Sequence, residues 1–292
     1  MPKLMVVIDP QEETHSGLER CKEIAPNAGL DIHVVSFVQA SGAKDMAGAI
    51  RDAQAKLTEV VKPFTDVGYQ TTEEVVPFTR LYESVVQTAV KCGADLLVKP
   101  MRQHSLARRI IMTSTDWNLV RFCPTPLYLV NGAVEVHGKP ILAAIDIENP
   151  DDQHAQLNEV VMTQANAIAG VFEGTVNCVN SWHVNPAVMS SGSVDPTPYE
   201  ISRDMHADHL EKSRTFASAH SVEEGNVHVH EGTPQFVIQE VAEELDAGVL
   251  VIGTVARTGV SGLFIGNTAE TVLEGTMTDV MVVKSPDFKS PI

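Results

Sequence analysis

Short, unbroken apolar runs alternate along this chain with longer stretches whose apolar positions recur at helical spacing. In the second half, ILAAID, GTVNCVNSW, NVHVHE, GVLVIG and DVMVV predict five strands, and the stretches near 152–169, 199–221, 234–245 and 267–275 predict helices. A strand covered on both faces needs continuous apolar residues, whereas a half-exposed one alternates. The pattern therefore predicts a parallel sheet with helices on both sides.

The plan occurs twice. LMVVIDP at 4–10 returns as LAAIDIE at 142–148, with Asp9 and Asp146 separated by 137 positions. GADLLVKP (93–100) matches DAGVLVIG (246–253), and PLYLV (126–130) matches DVMVV (279–283), both at an offset of 153. The fold expected is α/β: two tandem doubly wound parallel-sheet domains, at 1–134 and 138–286. The second half carries sixteen extra residues, which fall around HVNPAVMSSGSVDPTPYE (183–200), after its second strand. Loops after strand ends lie on the ligand side of such sheets, so this segment reads either as a lid or as an inert surface insertion.

Charge narrows the function. The chain has 292 residues, 43% of them hydrophobic, and a formal charge of −17, which opposes direct binding to nucleic acid. Cys21, Cys92, Cys123 and Cys178 are far apart and form no CxxC pair, so they read as buried, reduced thiols. MPKLMVVIDP has no secretory pattern, and no apolar run approaches the roughly 18 residues of a membrane span; a soluble, cytoplasmic protein is expected.

Chemistry concentrates in VIGTVARTGVSGLFIGNTAE, residues 251–270. A glycine loop running into a helix offers backbone N–H groups and a positive helix end to an anion. Gly253 would let the chain turn off strand four, Gly266 would allow close approach, Asn267 or Thr268 could donate to a phosphate, and Arg257 is the loop's cation. Helix capping is the competing account, with Asn267 as N-cap and Glu270 as its partner.

These residues resemble the signature of the universal stress protein family: glycine, two residues, glycine, nine residues, then glycine with Ser or Thr. Gly253, Ala256, Gly266 and Asn267 stand at the corresponding places, with alanine replacing the second glycine. With DWNLVRFCPTP closing the first half and GNTAETVL in the second, the chain looks like a tandem member of the family over nearly its whole length. The resemblance implies ATP or another adenine nucleotide as ligand. It would set the base or ribose at Asp146, with Val179 as a wall of the base pocket, and the phosphates at Gly253, Gly266, Asn267 and Thr268. It also implies that the two domains pack as an intramolecular counterpart of the family's dimer, through strand five of each. A homodimer and an unidentified protein partner are left open.

The first half has lost this loop. Pro100, Gln103, Thr113 and Ser114 replace the signature residues, Pro100 has no N–H, and Asp116 would compete with a phosphate for the helix end. Its loop KPMRQHSLARR gathers Lys99, Arg102, His104, Arg108 and Arg109, read as a solvated basic face or as an anion or partner site. SGSVD (191–195) follows the wrong strand for a pyrophosphatase loop. His206 with His209, and His228 with His230, share element faces but gather no further ligands, so no metal is expected. No nucleophile, base and oxyanion set can be assembled. The reading is a non-enzymatic, ligand-binding regulatory protein. Its alternatives are a carrier of an apolar, lipid-like ligand and a slow ATPase.

Overall fold

The structure is a computed structural model that describes residues 3–28, 31–40, 45–104, 107–132, 134–148, 152–183, 198–254, 257–259, 262–264 and 266–292. The first half runs β1 (Lys3–Ile8), α1 (Ser16–Ala28), β2 (Asp31–Gln39), α2 (Met46–Asp66), β3 (Thr71–Phe78), α3 (Leu81–Cys92) and β4 (Leu96–Pro100). A small hairpin of β5 (Arg102–His104) and β6 (Ala107–Ile111) follows, then α4 (Ser114–Phe122) and β7 (Leu127–Val130). The second half repeats this order with β8 (Ile141–Ala144), α5 (Asp152–Phe172), β9 (Val176–Trp182), α6 (Pro198–Ala219), β10 (Val227–Glu231), α7 (Pro234–Glu244) and β11 (Val249–Thr254). It closes with the hairpin β12 (Arg257–Gly259) and β13 (Gly262–Phe264), α8 (Asn267–Gly275) and β14 (Asp279–Lys284).

The two sets of five strands form one ten-stranded sheet in the order β10-β9-β8-β11-β14-β7-β4-β1-β2-β3. Every pairing in it is parallel except the central one, β14 with β7. Its register is Val280 opposite Leu129, Met281 opposite Tyr128 and Val282 opposite Leu127. Because Leu127, Tyr128 and Leu129 correspond to Val280, Met281 and Val282 at the 153-residue offset, the register is symmetric about the Tyr128 and Met281 pair. The strands expected at the contact are thus the ones joined. A fifth strand left bare would be an edge open to pairing, and each half covers the other's.

Both cores run through the whole molecule. On one face, Leu18, Leu57, Leu157 and Ala217 bring α1, α2, α5 and α6 onto the sheet; on the other, Val85, Leu119, Val237 and Val272 do the same for α3, α4, α7 and α8. At the junction, the Tyr128 and Phe172 rings meet across the halves at 6.4 Å.

The junction also buries charge. Arg20 on α1 lies 2.8 Å from Asp279 Oδ2 at the start of β14, with the two side chains 5% and 0% exposed. Asp279 Oδ1 accepts from the Asn131 N–H at 2.7 Å, and Arg20 also donates to the Val134 carbonyl at 2.6 Å and to Glu23 at 2.5 Å. Burial outweighs Arg20 and the Asn131 N–H and pushes Asp279 up to about 7. The pair has no counterpart 153 residues earlier, where Asp279 is replaced by Pro126.

Cys21, Cys123 and Cys178 are buried, but Cys92 is only partly so. Burial lifts the Cys123 and Cys178 thiols to about 11 and 12, which keeps them protonated and unreactive. Among the described residues no helix is long and apolar enough to cross a membrane.

Candidate functional site

In the second half the chain winds outward from β8 to β9 and β10, then returns to β11 on the other side of β8. The connections therefore diverge at the β8 and β11 ends, leaving a crevice where doubly wound sheets take ligands. A cleft of about 350 Å³ lies there. Its floor and walls come from Ala144 to Asp146 after β8, Val179 to Ser181 on β9, Ile252 to Thr254 on β11, Leu157, Asn158 and Val161 on α5, Ile238 on α7, and Gly266, Thr268, Ala269 and Val272 at α8.

Five residues singled out from sequence thus surround one space: Asp146, Val179, Gly253, Gly266 and Thr268. Asp146 stands just past β8 and its Oδ1 accepts from the Glu148 N–H at 3.1 Å, as Asp9 Oδ1 does from Gln11 at 2.9 Å. Asp146 is pinned further from the helix, because Asn158 on α5 accepts from its N–H at 3.0 Å and donates to its carbonyl at 2.7 Å; the Asp9 carbonyl instead accepts from the nearby Glu12 N–H at 3.1 Å. The corresponding α1 residue, 137 positions earlier, is Cys21, which cannot make that pair of bonds. Sequence reasoning missed Asn158; its signal was an asparagine at a core-facing helical position.

Gly253 does not turn the chain. It lies within β11, and a Cβ built on it would fall 2.5–3.0 Å from the Leu157 side chain, so a larger residue there would have to displace Leu157 of α5. The first half solves the same contact the other way round: Pro100 ends β4 and the glycine is Gly17 on α1, whose Cβ would lie 3.0 Å from Pro100 Cδ.

At α8 the expected cap is corrected. The chain is extended at Gly266, with φ −61° and ψ 142°, which makes Gly266 the N-cap and Asn267 the first helical residue. Gly266 has no side chain to bring back to the helix end, so no side-chain cap bond is made, and Glu270 N–H bonds the Gly266 carbonyl at 3.1 Å as the first intrahelical bond. Gly266, Thr268 and Ala269 at this helix start line the cleft, and the first-turn N–H groups of a helix have no intrahelical partner. Arg257 lies in β12, its backbone opposite Phe264. Ala256, the Arg257 and Asn267 side chains and the 184–197 part of the lid segment lie outside the described residues, and residues 198–200 belong to α6.

The equivalent helix end in the first half is filled by its own chain. Thr113 caps α4 and Asp116 returns the bond: Asp116 Oδ2 accepts from the Thr113 N–H and hydroxyl, each at 2.7 Å. Asp116 Oδ1 is 2.6 Å from Lys99 Nζ, and the carboxylate is fully buried. Lys99 is therefore neither solvated nor available as a basic face. The side chains of Arg102, His104, Arg108 and Arg109 lie outside the described residues. A carboxylate held by a helix N-terminus and a lysine is what a bound anion would look like there.

Two of the histidines weighed for metal are engaged elsewhere. His209 Nδ1 lies 3.1 Å from Asn180 Nδ2 and its ring stacks on Trp182, while His228 Nε2 bonds Asn177 at 3.0 Å. Burial lowers His228, which keeps it neutral. Among the described residues, no three His, Cys, Asp or Glu side chains are placed to hold a metal ion.

Universal stress protein E of Escherichia coli K12 is 29% identical over 99% of this chain and 96% of its own length, and its Photorhabdus laumondii namesake is 27% identical over the same shares. A crystal structure from Pseudomonas aeruginosa PAO1, of a protein described as functionally unknown, superposes with a TM-score of 0.79 at 29% identity, covering 98% of this chain and 93% of that one. An Archaeoglobus fulgidus universal stress protein, at 16% identity and a TM-score of 0.66 over 97% of this chain and 98% of its own, shares the fold. Residues 1–131 and again 138–284 match the universal stress protein family, and the chain belongs to that family with two of its domains in tandem.

Proposed function

We propose that this protein is a non-enzymatic regulator of the stress response that binds one small molecule per chain, in the second-half cleft, and that the ligand is ATP or another adenine nucleotide. The division 1–134 and 138–286 makes each half one ligand unit, of which we take the second to be the one that binds. The observation that carries this is the contrast between two equivalent helix ends: α8 begins at a bare glycine facing a cleft of about 350 Å³, whereas α4 is closed by Asp116 and Lys99. The cleft has the size and mixed lining of a small-molecule site. Val179, Ile238 and Ile252 suit the faces of a base, Asp146 suits a ribose hydroxyl or base N–H, and the α8 end with Gly266 and Thr268 suits the phosphates. Occupancy would order the loop ahead of α8 and change the surface offered to a protein partner.

The apolar side of the same cleft, with Leu157, Val161 and Val272, keeps a lipid-like ligand as the second reading. Native mass spectrometry of the full chain with ATP and, separately, with a C16 fatty acid distinguishes them. A single ATP adduct per chain is expected; a fatty-acid adduct with no ATP adduct would replace the nucleotide reading with the carrier reading.

A further inference from the structure

The two fifth strands end by reaching into the opposite half. Asn131, after β7, donates to the Met277 carbonyl at 2.7 Å; Lys284, 153 residues later, donates through Nζ to the Val120 carbonyl in the last turn of α4 at 2.5 Å. Lys284 makes a second bond, to Thr254 Oγ1 at 2.6 Å, and the residue 153 positions before Thr254 is Met101, which has no hydroxyl. Thr254 is the last residue of β11 and lines the cleft beside Gly253.

This arrangement has a consequence for hydrogen-bond direction. An ammonium can only donate, so Thr254 Oγ1 is the acceptor and its own proton must point away from Lys284. A hydroxyl that accepts from a cation is also a stronger donor. Lys284 is 9% exposed and Thr254 2%. Among the described residues no carboxylate pairs with Lys284: its neighbours are the α4 carbonyl end, the protonated Cys123 thiol and the Phe288 ring, whose centroid is 5.0 Å away. Arg121 on α4 and Glu270 on α8 are engaged with each other at 3.4 Å. The lysine thus carries a buried positive charge with no carboxylate partner among the described residues, one hydroxyl away from the cleft.

We propose that Thr254, polarised by Lys284, is an anion contact of the second-half cleft, and that anion binding there is linked to protonation of Lys284. This rests on reading the cleft as an anion site, but not on the identity of the nucleotide. Burial lowers Lys284 to about 8, so the ammonium is partly lost just above neutrality. An anion in the cleft favours the charged form and must raise that value. Affinity should then be level below about pH 8 and fall by up to about tenfold per pH unit above it, with binding taking up a proton.

The test is calorimetric titration of the full chain with ATP from about pH 7 to about pH 9.5, in two buffers of different ionisation heat, where ATP itself no longer titrates appreciably above about pH 8. The same samples are followed by NMR at the Lys284 Cε with inorganic sulfate, which does not titrate in this range. Expected are falling affinity and proton uptake above about pH 8, both abolished in Lys284→Met and in Thr254→Val, and an upward shift of the Lys284 titration on adding sulfate. If ATP binds with no pH dependence, or Lys284→Met only lowers Tm, Lys284 is a cap for α4 and the proposal falls while the nucleotide reading stands. If ATP does not bind but sulfate shifts Lys284, the nucleotide reading falls and the proposal stands. Neither effect would remove both.

Discussion

Gly266→Val is expected to weaken ATP binding by at least about 100-fold, equivalent to about 2.7 kcal/mol, while leaving the fold intact. The backbone at Gly266 has φ −61° and ψ 142°, open to any residue, and a Cβ there meets nothing within 4 Å among the described residues. A valine is therefore accepted by the protein, at about 1 kcal/mol or less for a poorer N-cap, and its branches enter the space in front of the α8 N–H groups. Gly253→Ala should do the reverse. Its methyl would meet Leu157 at 2.5–3.0 Å, so stability should fall by about 1–3 kcal/mol, with affinity lost only as folding is lost. Thermal melts beside ATP titrations check both. If Gly266→Val binds ATP normally, the α8 end is not the phosphate site.

Asp279→Ala is expected to destabilise the whole chain by about 3–5 kcal/mol, and Arg20→Met by clearly less. Removing Asp279 leaves a guanidinium that cannot deprotonate buried at the junction, with Glu23 and the Val134 carbonyl as its remaining partners. Removing Arg20 leaves a carboxyl already raised to about 7, which can shed its charge by protonating. The same shift sets a pH dependence. The folded value lies above the ordinary 3.8, so between about 3.8 and about 7 the folded state holds a proton that the unfolded state has lost. The contribution from Asp279 is fully present below the unfolded value and is lost as pH rises through about 7. The stability margin of the wild type over Asp279→Asn should accordingly shrink as pH rises across that window. Denaturant unfolding of the three variants checks the order. Arg20→Met costing more than Asp279→Ala would contradict it.

Much of the fold was legible because buried central strands such as β8, β11 and β14 leave nearly unbroken apolar runs, while the edge strand β10 alternates. The second-half strands lie where ILAAID, GTVNCVNSW, NVHVHE, GVLVIG and DVMVV placed them, and the pairing of β7 with β14 followed from two fifth strands that each needed a neighbour. The site was legible in part. Strand-end positions such as Asp146 and Val179 are fixed by topology, so they could be read before any side chain was placed. Thr254 and Lys284 could not, since their roles depend on contacts made 30 and 164 residues away. Gly253 was assigned a turn because a sequence shows a missing side chain but not the Leu157 that occupies its place. Asn267 was assigned the cap because local preference favours asparagine there. The chain stays extended one residue less, and a glycine takes the position.

That one helix end takes an anionic ligand while its equivalent is closed by the protein's own carboxylate is the proposal on which the rest depends. Calorimetric titration of the full chain with magnesium and ATP, run beside Gly266→Val, tests it most directly. One site per chain is expected, lost in Gly266→Val. Two equivalent sites, or a single site that survives Gly266→Val, would contradict it.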